Sequence, residues 1–143
     1  RRDFKLNIVC DDFIDEFHCP VEKISWTAVN EVIDIQSFDI GLMPLVDDPW
    51  TKGKCAFKLL QYMACGRPGV ANSTAVTQKI IEPHENGFLA ATPDEMIDKI
   101  DWLLDHRHLL PEIGRRARTS ILGVYDSHSV ALRYAEIFKQ MVG

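Results

Sequence analysis

The stretch KGKCAFKLLQYMACGRPGVANSTAVTQKIIEPHENGFLA, Lys52–Ala90, decides the fold. Phe57, Leu60, Met63 and Ala64 recur at helical spacing and end at Gly66–Arg67–Pro68, where glycine suits the cap and proline forbids another turn. A short apolar run follows at Pro68–Asn72, then a small-residue turn, then Asn86–Gly87 before a second short run, Gly87–Ala90. Upstream, Phe38–Leu45 (FDIGLMPL) is nearly continuously apolar, as in a parallel strand buried on both faces. Lys5–Cys10 and Val21–Trp26 are two further candidate strands, with Val29, Val32 and Ile33 at helical spacing before Ile35. Downstream, Thr92–Pro93–Asp94–Glu95 reads as a helix start, with Thr92 as cap and proline at the first position. Met96, Ile97, Ile100, Leu103 and Leu104 would form that helix's apolar face. A second helix is expected near Pro111–Leu122, and a third from Ser127 or Ser129, presenting Val130, Tyr134, Ile137, Phe138 and Met141. Strands alternating with helices predict an α/β fold, a mostly parallel sheet flanked by helices, with a helical C-terminal tail.

The 143 residues suit one domain, and the opening RRDF, without Met, reads as the interior of a longer chain. A net charge of −5 argues against a nucleic-acid footprint. No run reaches the roughly 18 apolar residues that a bilayer crossing needs. Cys10, Cys19, Cys55 and Cys65 form no C-x-x-C pair and read as reduced cytoplasmic thiols, each a small buried hydrophobe. His106 and His108 are too close in sequence to share a helix face, so no metal site is expected.

In parallel α/β sheets, ligands bind beyond the carboxyl ends of the strands. The loops after the strands therefore matter: Asp11–Asp12, Thr27, Val46–Lys54 and Ser73–Val76. The polar loop into the helix at Lys54–Phe57 ends on unpaired amides and a positive dipole end, which make an anion site. Gly53 permits close backbone approach, and Lys52, Lys54 and Lys58 add positive charge. A solvated basic helix start is the plain alternative. Ser73, Thr74 and Ala75 are read as a second helix N-terminus at the same sheet edge, for which capping alone is an equal reading. His84, lone in a turn, is given no role.

With these segments in order, the chain resembles the large retaining glycosyltransferase family four, in its branch with a K-G-K-C…K-L-L-Q-Y-M-A helix. The resemblance extends to ISW, FDIGLMPL and the closing helices, nearly the whole chain. It implies the carboxyl-terminal, nucleotide-sugar-binding half of a two-domain GT-B enzyme, with a Rossmann-like sheet. It implies transfer of a sugar from a nucleotide-diphosphate donor to a hydroxyl acceptor, with retention and no obligatory metal or other cofactor, in polysaccharide or glycan assembly. By the same resemblance, Gly53, Lys54, Cys55, Ala56, Phe57 and Lys58 face the donor diphosphate or sugar. Gln61 takes the ribose, and Lys23, Ile24, Ser25 and Trp26 line the base pocket. The family carries two glutamates at the positions of Gly53 and Gln61; an amide can still bond a hydroxyl, whereas glycine cannot. The branch's glycine and acid are here Ala75 and Lys79.

The resemblance also places a strand, a glycine loop and an Arg/Lys pair before Lys5 that this chain lacks. That strand is central in the family's sheet, so its absence predicts unpaired edges inside the sheet. Rearrangement, strand donation between copies, or upstream sequence in the parent protein would resolve them. The amino-terminal acceptor domain is missing as well, so the fragment alone is expected to be inactive. The expected setting is cytoplasmic, with peripheral association at the inner membrane face open to the parent.

Other readings were weighed. Asp11 and Asp12 resemble a phosphoacceptor receiver's acidic pair, but Met43–Leu45 stand where its phosphorylated aspartate belongs. A dinucleotide oxidoreductase needs G-x-G-x-x-G, and none occurs. A non-catalytic nucleotide-binding or interaction module of the same fold is the serious alternative.

Overall fold

The computed structural model describes residues 3–13, 17–45 and 55–142. Strands β1 (Leu6–Cys10) and β2 (Val21–Ser25) form one parallel pair, in register from Leu6 opposite Val21 to Cys10 opposite Ser25. Strands β3 (Gly41–Met43), β4 (Gly69–Asn72) and β5 (Gly87–Ala90) form a second parallel sheet in the order β3-β4-β5. Helix α1 (Glu31–Gln36) joins β2 to β3, and α2 (Phe57–Ala64) precedes β4. Helices α3 (Pro93–Asp105), α4 (Leu110–Ile121) and α5 (Ser127–Val142) close the chain.

Alternation along β4 explains the layering. Val70 packs with Phe88, Ala90, Met96, Leu103 and Ile113 on one face of the sheet. Ala71 packs with Met43, Leu59, Met63, Ala117 and Ile121 on the other. Both faces of this strand are covered, so it needs apolar residues at every position, which is why PGVAN carries no polar alternation.

The element ends follow from local chemistry. Gly66, at φ +69°, lets its amide reach the Met63 carbonyl while the Arg67 amide reaches that of Tyr62, which is the two-bond glycine stop expected at that position. Close packing of α4 on this turn also needs a glycine on the helix, since a Cβ on Gly114 would lie 2.0 Å from the Gly66 carbonyl oxygen. Thr92 Oγ1 accepts from the Glu95 amide at 3.1 Å, and Pro93 opens α3, as the sequence predicts. Asp126, rather than Ser127 or Ser129, caps α5, accepting from both the amide and the hydroxyl of Ser129.

Four expectations change. Phe38–Leu45 contributes only three residues of strand. No α-helix follows Ser73–Ala75: the segment closes as one 3-10 turn, Thr77–Lys79. Thr74 and Thr77 exchange amide-to-hydroxyl bonds of 2.8 and 3.2 Å, and Thr77 also donates to the Asn72 carbonyl, so the turn's polar groups are consumed locally. The cysteines are free as expected, but none is buried, and Cys55 is exposed. The apolar face of α5 stays open to solvent, with Tyr134, Ile137, Phe138 and Met141 all exposed.

Among the described residues the two parallel sheets are not joined by a strand. Leu6 donates to Pro20 and Trp26 to Cys10, so the main-chain groups of Leu6, Ile8 and Cys10 turn toward β2. Those of Asn7 and Val9 turn away from it. On β3, Gly41 donates to Pro68, which turns Leu42 away from β4. Among the described residues neither outward edge has a strand partner. The Tyr62 hydroxyl donates to the Leu42 carbonyl at 3.2 Å, and its ring occupies the space a Cβ on Gly41 would need.

Candidate functional site

A cleft of about 90 Å³ lies beside the open edge of β1. Its walls are Asn7 and Val9 of β1, Glu31, Asp34 and Ile35 of α1 with Phe38 beyond it, Lys58 and Tyr62 of α2, and Trp26 just past β2. These elements meet here because β1 lacks a second neighbour, so helices and side chains border the space where another strand could run.

On the wall of the cleft, one carboxylate gathers two donors. Glu31 Oε1 accepts from Lys58 Nζ at 2.6 Å and from Trp26 Nε1 at 3.2 Å. The Lys58 bond, then the indole, hold the Glu31 carboxyl below its ordinary range against a smaller opposing effect of burial. Gln61 Oε1, Asn7 Oδ1 and Asp34 Oδ2 are buried acceptors without a donor among the described residues. Such unmet acceptors are uncommon in folded proteins and suit a ligand that brings hydroxyl or N–H groups.

The start of α2 leaves its first amides unpaired. Ala56, its cap, is buried and adopts the left-handed conformation (φ 55°, ψ 34°), which costs an alanine energy. No side chain caps the helix, and its first turn carries no acid, so the amides of Phe57, Lys58 and Leu59 have no intrahelical acceptor. Gly53 and Lys54, expected at the diphosphate, lie outside the described residues, as do Lys52 and Val46–Thr51.

The other expected residues divide. Trp26 and Lys58 are brought together through Glu31, while Gln61 lies one turn further along α2 without bordering the cleft. Cys55 and Phe57 are exposed beside them in sequence, without bordering the cleft. Lys23, Ile24 and Ser25 lie on β2, with the Lys23 ammonium 5.6 Å from the centre of the Phe13 ring, and none of the three borders the cleft. Ser73 accepts from Gln78 at 2.9 Å, and Thr74 is bound into its own turn. Glu31 itself escaped sequence reading. Its partner Lys58 is 27 residues away, and no local periodicity reports such a contact.

No group of three or more His, Cys, Asp or Glu among the described residues is placed to hold a metal ion. None of the described helices is long and apolar enough to cross a membrane.

The fold recurs in solved structures. S. aureus TarM, solved with fondaparinux, alpha-GlcNAc-glycerol and UDP, superposes with a TM-score of 0.67 at 22% identity, over 83% of this chain and 24% of that one. Sucrose-phosphate synthase of Thermosynechococcus elongatus gives 0.72 at 17% identity, over 85% and 30%. HepE of Anabaena, solved with UDP and glucose, gives 0.72 at 16% identity, over 86% and 33%. The chain thus spans about a quarter to a third of these neighbours' length. No curated protein matches it. The family described as glycosyl transferase-like matches residues 2–139, and this chain, with its parallel α/β fold, belongs to that family.

Proposed function

We propose that this domain binds the nucleotide-diphosphate sugar donor of a retaining glycosyltransferase that moves a sugar to a hydroxyl acceptor. The observation that carries the reading is the convergence of Trp26 and Lys58 on one carboxylate beside the uncapped start of α2. The indole offers an apolar face for a base, and an ammonium and free helix amides offer charge for a diphosphate. UDP in the TarM and HepE structures supports the same ligand class here.

In this reading the chemistry is electrostatic. Amides of the first turn of α2 and Lys58 stabilise negative charge on the departing diphosphate, and fixed dipoles do so without reorganising during the step. Closure against a separate acceptor domain excludes water and aligns the acceptor hydroxyl. That domain, and a strand between β1 and β3, belong to the parent polypeptide, so residues 1–143 alone give no turnover. No metal is required for the leaving group. Titration calorimetry with UDP, GDP and ADP tests binding. No heat with any of them at millimolar concentration refutes a donor site. Transfer of radiolabelled sugar by the isolated domain refutes its dependence on a second one.

The glycine at position 53, where the resemblance expects a carboxylate, favours one other reading, a domain that binds nucleotide without catalysis. Tight nucleotide binding by a full-length protein that transfers no sugar from any UDP, GDP or ADP sugar would establish it.

A further inference from the structure

The positive charge at the start of α2 is answered from elsewhere in the chain. The first turn of α2 carries no acid, and no side chain caps its amides. Its lysine, Lys58, is instead bound at 2.6 Å by Glu31, 27 residues away on α1. The pairing is lopsided, because the Glu31 side chain is 23% exposed and that of Lys58 50%. The lysine is free to swing toward a ligand, whereas the carboxylate is held in place.

What holds the carboxylate does not depend on Lys58. The Trp26 indole donates to the same Oε1 at 3.2 Å, so Glu31 keeps a partner when the ammonium leaves. The ion pair also opens readily, since pairs this exposed contribute little to stability. A lysine presents a point charge on a flexible stem, without the fixed fork that would lock an arginine to one acceptor. A phosphate that shared this ammonium would face the Glu31 carboxylate across it, two anions on one cation. Transfer of the ammonium to the phosphate keeps the two anions apart.

We propose that Glu31 is a positioning residue that acts through Lys58 as a built-in competitor: it occupies the ammonium in the empty site, yields it to the donor diphosphate, and reclaims it as the nucleoside diphosphate leaves. The carboxylate thereby limits how tightly the product is held. This rests on the donor-binding reading above.

The test uses the full-length protein and calorimetry with UDP, GDP and ADP. Glu31→Gln keeps the shape of the side chain and removes its charge. Whichever nucleotide binds should then bind about threefold to fivefold more tightly, the scale of an exposed ion pair. A merely structural Glu31 would give weaker or unchanged binding, and either result overturns the proposal. In a Lys58→Met background the same substitution should give no gain, since nothing remains to compete for. A gain that persists there reports plain repulsion between Glu31 and the ligand, and overturns the competition. Urea unfolding checks that each variant folds. Should Glu31→Gln fail to fold, Glu31→Asp draws the charge back by one methylene and carries the same comparison. A wild type that binds none of the three nucleotides overturns the donor reading and this role together. A wild type that binds, with no gain in the folded Glu31 variant, overturns this role alone.

Discussion

The β3-β4-β5 sheet and the β1-β2 pair are both parallel, yet only the first is finished. In β4 and β5, Val70, Ala71, Phe88 and Ala90 are wholly buried, and helices cover both faces of β4. Every residue of β1 is only half-buried, and its outward edge meets a cleft instead of a strand. The Glu31 cluster sits on the unfinished side. Burial is thereby concentrated in the finished sheet, and the open side has the thinner packing typical of elements with lower local stability.

The largest test of that contrast is a pair of truncations. Phe88→Ala should cost about 3–5 kcal/mol, because a filled two-sided core cannot collapse around the loss. Val9→Ala should cost about 1 kcal/mol or less, since the valine is already partly in water. Urea midpoints report both, and equal losses would break the comparison.

A second pair of asparagines sharpens it. Asn86 is buried and fully used: Oδ1 accepts from the Glu82 amide at 2.8 Å, and Nδ2 donates to the Ile80 carbonyl and the Ser120 hydroxyl. Asn86→Leu strands those groups at about 1–3 kcal/mol each. Asn7, by contrast, holds a buried Oδ1 with no donor among the described residues. Asn7→Leu should be neutral or stabilising in residues 1–143. A loss comparable to that at Asn86 would mean that Asn7 already serves the folded domain.

Hydrogen exchange then asks whether the edges are open. The amides of Val70, Ala71 and Phe88 should exchange slowest, and those of Asn7, Val9 and Leu42 much faster. In the full-length protein the last three should become protected, as a strand between β1 and β3 takes them up. Unchanged exchange there would leave the edges unfilled in the parent and sink the missing-strand account.

How far the sequence foretold this differs between the two sides for a physical reason. Local signals carried the caps, such as Thr92 with Pro93 and Gly66 before Pro68, because each acts within a few residues of itself. They failed at Thr74, where Val76 and Ile80 mimic a helix although paired threonine hydroxyls close a single turn. The broken sheet was legible only through resemblance, since nothing local says which strand is absent. Glu31 was not legible at all, because a carboxylate among exposed apolar neighbours acquires meaning only when α2 folds against it.

The smallest expected effect lies outside both sheets, at the start of α5. The amide and hydroxyl of Ser129, with the Gly123 amide, hold the Asp126 carboxyl down to about 2. Its folded value is below the ordinary aspartate value of about 3.9, so its contribution is complete above that value and is lost as pH falls through about 2. Glu112 is lowered equally, to about 2, but chiefly by its bonds to the charged Arg115 and Arg116. The two should therefore part company in salt. At about 1 M salt, where screening acts within about 3 Å, the Glu112 titration moves back toward its ordinary range while Asp126, held by neutral donors, scarcely moves. Carboxyl NMR titrations read both midpoints, and an Asp126 midpoint near 3.9 at low salt would remove the cap. Because α5 leaves its apolar face in water, loss of the cap should fray that helix between pH about 4 and about 2 without shifting the urea midpoint set by Phe88. A coupled fall of the two would show that α5 is part of the finished half after all.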